Sequence, residues 1–166
     1  MPIVKGGIVV LAPEIENAYI AILEEELVLA TGCTEPIAVA YAAAKLRETL
    51  GAIPERVLAE VSGNILKNVK SVVVPNTDGL KGIRAAVAAG IIAGDAEGEL
   101  QVITRVPREL RAAIAAYAED TPIQVSCSAA TRMLDIRLTG WRDGHWAVTH
   151  IANSHTNLIH VERDGT

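Results

Sequence analysis

The fold class is decided by the stretch MLDIRLTGWRDGHWAVTHI, residues 133–151. From Leu134 to Leu138, apolar and polar side chains largely alternate, as they do in a strand with one solvated face. The Arg142-Asp143-Gly144 segment is a hairpin signal, because an Asp-Gly pair accepts the backbone angles of a tight turn. Residues 146–151 predict the returning strand. This stretch therefore predicts an antiparallel meander.

Further strands and a set of helices surround this stretch. Apolar residues at helical spacing dominate the first two-thirds of the chain. The predicted helices cover residues 13–29, 34–50, 79–94 and 107–118, and the other predicted strands cover 57–61, 72–74, 100–103, 123–127 and 158–161. Helices followed by a meander of strands predict an α+β fold, with Ala-rich helices packed on a mixed or antiparallel sheet.

The length of 166 residues predicts a single domain spanning 1–166. A chain of this size buries enough surface to fold without disulfides or metals. Within the domain we expect a leader at residues 1–12, a mainly helical part at 13–120 and a mainly stranded part at 121–163.

Composition excludes several classes of function. Acidic residues outnumber basic ones by 20 to 15, and aromatic residues make up only 3% of the chain. We therefore expect no nucleic-acid partner, since such a surface needs clustered basic groups or stacking platforms. No apolar run reaches the roughly 18 residues of a membrane span, and no cleavable signal follows the apolar stretch at 8–12. Two cysteines are too few for a disulfide scaffold, so we expect a cytoplasmic protein.

The segment TGCTEP, residues 31–36, places a cysteine just before a predicted helix. The positive end of a helix dipole lowers the pKa of a thiol, and the thiolate is the form that binds metal or attacks carbon. We expect Thr34 to cap this helix and Cys33 to carry a lowered pKa. The structural alternative is that Cys33 is a small buried residue beside the cap.

A second polar segment, NTDGLKG at residues 76–82, follows a predicted strand and opens a predicted helix. Backbone N–H groups at a helix start, together with Lys81, can hold a phosphate or a carboxylate. Ser62, Asn64 and Asn68 precede this segment and can line the same crevice. The alternative is a helix start capped by Asp78 or Thr77 without a ligand.

The four histidines recur at steps of five, at positions 145, 150, 155 and 160. An odd step in a strand sends neighbouring side chains to opposite faces, so a metal site of four histidines is not expected. His155-Thr156-Asn157 falls in a predicted loop and is the better candidate for a polar site. Cys127 is interpreted as structural.

Several segments together resemble one family. These segments are TGCTEP at 31–36, VSGNILKNVKSVVVP at 61–75, GLKG at 79–82 and HTN at 155–157. In this order they are similar to the iron–sulfur L-serine dehydratase alpha-chain family, and most similar to its L-cysteine desulfidase-like branch. The resemblance covers roughly residues 14–163.

The resemblance implies a pyridoxal-independent lyase that binds a small amino acid. A [4Fe–4S] cluster held by three cysteines would leave one iron open as a Lewis acid. Elimination of the β-substituent would then yield pyruvate and ammonia, with sulfide from L-cysteine. By this resemblance Cys33 is a cluster ligand, and Lys81 and His155 are the expected catalytic residues. The expected substrate-binding residues are Ser62, Asn64, Thr77, Gly79 and Asn157.

The chain departs from the family in length and in cysteine content. Family members are normally more than twice as long, and their other cluster cysteines lie in a C-terminal half. Residues 76–78 also replace an expected Gly/Thr-rich run. We therefore expect an N-terminal fragment or split subunit, inactive alone, with no cluster on this chain by itself. Its expected partners are the missing half and, through an exposed apolar face, further copies of itself. The alternatives are a non-catalytic domain that binds small carboxylates or amino acids, and a scaffolding domain.

Overall fold

A computed structural model describes residues 11–27 and 32–166. Its α-helices are α1 (Pro13–Glu26), α2 (Thr34–Leu50), α3 (Gly63–Val69), α4 (Gly82–Ala93) and α5 (Arg111–Asp120). Its strands are β1 (Arg56–Val61), β2 (Ile123–Cys127), β3 (Asp135–Arg142), β4 (His145–Ala152) and β5 (Leu158–Arg163). Two short 3-10 helices, Glu99–Gln101 and Arg108–Leu110, complete the described elements. None of the described helices is both long and apolar enough to cross a bilayer.

The five strands form one mixed sheet in the order β2-β1-β3-β4-β5. The last three strands make the predicted antiparallel meander, and the α+β fold class is confirmed. β2 does not join that meander, because it pairs in parallel with β1 at the edge of the sheet. β1 pairs with β3 in antiparallel register, so it lies between the parallel edge and the meander.

The hairpin between β3 and β4 has the turn that its residues predict. Asp143 and Gly144 have φ angles of 50° and 82°, so both central residues adopt positive φ. Two-residue turns of this kind match the right-handed twist of the flanking strands, and Asp-Gly accepts them at low cost. The turn sets Trp141 opposite Trp146.

Helices α2 and α4 pack closely because their facing residues are small. The Ala-rich stretch of α2 is buried, and a Cβ atom on Gly90 would overlap the carbonyl oxygen of Ala40. Arg47 of α2 donates to the carbonyl oxygens of Ile91 and Gly94 at 2.9 and 2.8 Å, which satisfies the C-terminal end of α4. On its other side α2 covers the sheet, where the buried Thr149 hydroxyl donates to the Ala42 carbonyl oxygen at 3.0 Å.

Several local predictions differ from the structure. Residues 100–103, predicted as a strand, form a 3-10 helix and turns beside α2, where Leu100 and Ile103 are buried without a strand partner. The predicted strand at 72–74 makes only the isolated bridge between Val73 and Lys81. The turn predicted at 62–64 is the start of α3.

Two predicted helices begin later than their sequence patterns indicate. The helix predicted from residue 79 begins at Gly82, because Gly79 has a φ angle of 94° and the N-cap residue Lys81 has extended backbone angles. The helix predicted from residue 107 has a 3-10 turn first and becomes α-helical at Arg111.

Helix α1 ends at Glu26, inside the predicted helix 13–29. Residues 28 and 29 and most of the predicted leader lie outside the described residues. Every side chain of α1 whose burial is described is exposed.

Candidate functional site

Cys33 immediately precedes α2 and is exposed, as is the neighbouring Gly32. The Cys33 thiol donates a hydrogen bond to Oε2 of Glu35, with 3.0 Å between sulfur and oxygen. The Thr34 hydroxyl also donates to this oxygen, at 3.4 Å. Thr34 is not the predicted cap, because Cys33 occupies the N-cap position and Thr34 is the first helical residue.

Glu35 joins three separate segments of the chain. Nδ2 of Asn68, near the end of α3, donates to its second carboxylate oxygen, Oε1, at 3.3 Å. The charged form of His155, in the loop between β4 and β5, lowers the pKa of the Glu35 carboxylate. Gly32 contacts Pro75, since a Cβ atom on it would lie 3.1 Å from Cγ of the proline. We call Cys33, Glu35, Asn68 and His155 the Cys33 cluster.

The electrostatics of the Cys33 cluster favour a protonated thiol beside an ionised carboxylate. The hydrogen bond from Cys33 is the largest cause that lowers the pKa of Glu35, and Asn68 and the charge of His155 lower it further. Partial burial raises the pKa of Cys33, and the adjacent Glu35 carboxylate raises it further. The predicted lowering of this pKa is therefore wrong, because burial and a carboxylate 3.0 Å from the sulfur together outweigh the helix start.

The start of α3 contributes one buried and one exposed polar residue. The Ser62 hydroxyl donates to the Met133 carbonyl oxygen at 2.8 Å and accepts from the Ile65 backbone N–H at 3.4 Å. Ser62 is thus the buried N-cap of α3, with both of these bonds inside the fold. Asn64 is exposed and lies four residues before Asn68, so both amides share one face of the helix.

Lys81 lies on a different side of α3. It lines a hollow of about 190 Å³ together with Lys70, Arg84, Leu66 and Val125. Leu66 and Lys70 are each two residues from Asn68, which turns them by about 200° around the helix axis. Among the described residues, no hydrogen bond or ion pair links Lys81 to the Cys33 cluster.

The loop between residues 76 and 79 uses most of its polar groups internally. Thr77 is 2% exposed, and its hydroxyl donates to the Val74 carbonyl oxygen at 2.7 Å. Asn76 donates to the Ile103 carbonyl oxygen at 2.9 Å, and Asp78 pairs with Arg111 at 2.6 Å. Gly79 is exposed with a φ angle of 94°, which suits glycine and strains other residues.

The other predicted site residue, Asn157, lies in the loop that carries His155. Its side chain donates to the Ala152 carbonyl oxygen at 2.9 Å and closes the loop. The three remaining histidines each bond a separate carboxylate: His145 bonds Asp164, His150 bonds Asp135 and His160 bonds Glu162. Within residues 11–27 and 32–166, no three metal-binding side chains come together.

Two groups were missed by sequence reasoning. Glu35 lies inside the quoted TGCTEP motif but received no role, and its spacing two residues after a cysteine at a helix start was the available signal. Asp135 is 3% exposed and accepts bonds from Arg132 at 3.2 Å and His150 at 3.1 Å. The available signal was the position of Asp135, a carboxylate at the start of a strand with buried apolar residues.

The described thiols do not by themselves fit a cluster held by three cysteines. Cys33 and Cys127 are both free and exposed. Cys127 lies next to the start of α3, with its sulfur 3.8 Å from where a Cβ atom on Gly63 would be. These 166 residues contain only these two cysteines, so any third thiolate has to come from outside them.

Comparison with known proteins finds relatives that carry a family label without an assigned reaction. A UPF0597 protein of Desulfitobacterium hafniense is 52% identical over 149 residues, which is 90% of this chain and 35% of the relative. UPF0597 proteins of Treponema denticola and Finegoldia magna are 42% and 44% identical over 88% of this chain, and 34% and 35% of their own lengths. The chain thus spans about a third of the length of the curated relatives it matches. No family model matches the chain. No solved structure matches it either.

Proposed function

We propose that this chain is the N-terminal part of a [4Fe–4S]-dependent L-cysteine desulfidase or L-serine dehydratase. The complete enzyme would eliminate the β-substituent of the amino acid and release pyruvate and ammonia, with sulfide from cysteine. The observation that carries the proposal is the Cys33 cluster, in which an exposed thiol at a helix start bonds Glu35, and Glu35 in turn accepts from Asn68 and feels the charged form of His155. Cys127 is exposed too, but its thiol bonds the Ser128 backbone carbonyl oxygen rather than a charged side chain.

In this proposal Cys33 supplies one thiolate, and the remaining part of the enzyme, on the same or on a second polypeptide, supplies the others. Two observations support that division. This chain has too few cysteines for three ligands, and its relatives are about three times as long. The chain alone is therefore expected to be inactive and free of a cluster.

Of the two residues expected to be catalytic, the geometry favours His155. His155 acts electrostatically on Glu35, beside the thiol, whereas Lys81 lines a separate hollow around the other side of α3. The exposed amide of Asn64 lies on the same helix face as Asn68. Asn64 and His155 are thus the polar groups best placed to meet the charged ends of an amino acid near Cys33.

Reconstitution with the missing part tests the proposal. This chain would be mixed anaerobically with iron, sulfide and the two-thirds of the D. hafniense relative that it does not match. We expect cluster absorbance and pyruvate from cysteine or serine, and we expect Cys33→Ser to abolish both. Cys127→Ser is the matched control and should retain them. Absence of absorbance and of keto acid with the unmodified chain, or full retention of both in Cys33→Ser, would overturn the proposal.

The hollow beside Lys81 supports a second candidate, a domain that binds small carboxylates without catalysis. Three cations, Lys70, Lys81 and Arg84, surround a hollow of about 190 Å³, and cations of this kind attract carboxylates. Arg84 is held in place because it donates to the Ile123 and Ala118 carbonyl oxygens at 3.1 and 2.6 Å. Calorimetry of the chain with small amino and carboxylic acids separates the candidates. Binding that survives Cys33→Ser and is lost in Lys81→Ala would favour the second.

A further inference from the structure

Helix α1 carries an apolar stripe that no described part of the chain covers. Ile15, Tyr19, Ile22 and Leu23 are between 49% and 56% exposed. Together with Leu11, Ile20 and Leu27, they make up seven of the twelve exposed large hydrophobic residues among those described. The spacing of Ile15, Tyr19 and Ile22 places these three on one side of the helix. We call Ile15, Tyr19, Ile22 and Leu23 the α1 stripe.

A partner for α1 is required by its length as well as by its exposure. Isolated helices shorter than about 12–15 residues are marginal in water, because most helical stability in proteins comes from packing of an apolar face. α1 has 14 residues. In the described structure no other element makes extensive contact with it. The stripe is therefore a surface suited to binding another polypeptide.

The charge of α1 specifies the chemistry of that partner. Residues 11–27 contain five glutamates, at positions 14, 16, 24, 25 and 26, and no lysine, arginine or histidine. Pairing of two α1 helices from two copies would bring the exposed carboxylates of Glu14, Glu16 and Glu24 close to like charges, which is unfavourable. A complementary surface would instead be an apolar groove bordered by lysine or arginine side chains.

The sequence keeps α1 within reach of the Cys33 cluster. Only five residues separate Leu27 from Cys33, so the two lie within about 20 Å even if the chain between them is fully extended. The relatives have about two-thirds of their length outside the part that this chain matches. That missing part is also where the proposed function requires further cysteines.

We propose that the α1 stripe docks into a basic-edged apolar groove on the remaining two-thirds of the family polypeptide. We take the identity of this partner from the proposed function, but the docking itself requires no reaction.

Co-production tests the docking without iron or substrate. The tagged chain would be produced together with the unmatched two-thirds of the D. hafniense relative, and the amount of the latter that co-purifies would be measured. We expect near-equimolar recovery with the unmodified chain, and at least about tenfold less with Ile15→Glu combined with Leu23→Glu. Ile53→Glu is the matched control, because Ile53 is 43% exposed but lies outside α1, and its recovery should be unchanged.

Hydrogen exchange tests the same docking in one polypeptide. The chain would be fused to the same two-thirds of the relative, and exchange of the α1 amides compared with the chain alone. We expect slow exchange in the fusion and fast exchange in the isolated chain. Equal exchange in both, or equal co-purification of the Ile15→Glu, Leu23→Glu variant, would overturn the inference. A dimer of the isolated chain that this variant dissociates would also overturn it, since the occupant would then be a second copy. Docking without lyase activity would leave it standing while the proposed function fails.

Discussion

At the scale of single residues, partial burial and Glu35 together raise the pKa of Cys33. The Glu35 carboxylate accepts a hydrogen bond from the thiol, with 3.0 Å between sulfur and oxygen, and both this bond and its negative charge add to the effect of burial. We predict that Glu35→Gln lowers this pKa, because the negative charge that disfavours thiolate is removed while partial burial remains. Alkylation of Cys33 at pH 7–8 should then be faster than in the parent, and the midpoint of its rate–pH profile should move to lower pH.

The measurement is the rate of alkylation against pH in a Cys127→Ser background, so that Cys33 is the only thiol. Glu60→Gln is a suitable control, because it removes a carboxylate from β1 rather than from the Cys33 cluster. A rate–pH profile of Glu35→Gln that coincides with that of the parent would contradict the predicted coupling.

Asp135 is a buried carboxylate, and its replacement should lower the free energy of unfolding. Its side chain is 4% exposed and accepts from His150, which is 19% exposed, and from Arg132, which is 46% exposed. We predict that Asp135→Asn lowers the free energy of unfolding by about 1–3 kcal/mol, because the charge-assisted bonds are lost and His150 keeps little access to water. Urea unfolding measures the change. Asp143→Asn, at a side chain that is 77% exposed, should change it by less than about 0.5 kcal/mol. Equal effects of the two variants would contradict the prediction.

Part of the site could be predicted from single residues, and part could not. Cys33 and His155 were selected from short motifs, because a thiol at a helix start and a polar loop are visible in sequence. Their shared neighbour Glu35 depends on how α2, α3 and the loop at 155–157 pack, and no local pattern contains that distance. The sequence cannot show whether the Thr77 hydroxyl binds a ligand or the backbone. In the structure it donates to the Val74 carbonyl oxygen.

At the scale of elements, the contact between α2 and α4 limits what position 90 can hold. A Cβ atom on Gly90 would overlap the Ala40 carbonyl oxygen and lie 2.8 Å from the Ala43 Cβ. We predict that Gly90→Ala lowers the free energy of unfolding by about 1–3 kcal/mol, although alanine is the better helix former, because the helices must separate. Gly63→Ala is the control, since a Cβ atom there meets only ordinary contact with Cys127 at 3.8 Å. A Gly90→Ala variant as stable as the parent would contradict the close approach of α2 and α4 at this position.

The elements themselves were predicted with uneven success for physical reasons. The β3–β4 hairpin was predictable because its register follows from a two-residue turn at Asp143 and Gly144. The parallel pairing of β1 with β2 was not, because alternation reports which face of a strand is buried and says nothing about its neighbour across 60 residues of chain. Ser62 was assigned to a turn because serine serves turns and helix caps by the same hydrogen bond.

At the scale of the whole molecule, α3 separates two polar regions, the Cys33 cluster and the cationic hollow. A helix with its side chains is about 10 Å across, which equals about one Debye length at physiological salt. Lys81 therefore acts on the thiol only weakly from its own side of the helix. We predict that Lys81→Ala leaves the rate–pH profile of Cys33 alkylation unchanged, and that its combination with Glu35→Gln behaves as Glu35→Gln alone.

This comparison also decides which of the two expected catalytic residues belongs with Cys33. His155→Ala removes a ring whose charged form lowers the pKa of Glu35, so it should alter the acidic limb of the alkylation profile, where imidazoles are protonated, and Lys81→Ala should not. The profiles would be measured in the Cys127→Ser background at two salt concentrations. The direct hydrogen bond between Cys33 and Glu35 withstands screening by salt better than a charge acting across α3. If Lys81→Ala moved the profile as far as Glu35→Gln does, the Cys33 cluster and the cationic hollow would form one site, and Lys81 would remain a candidate catalytic residue.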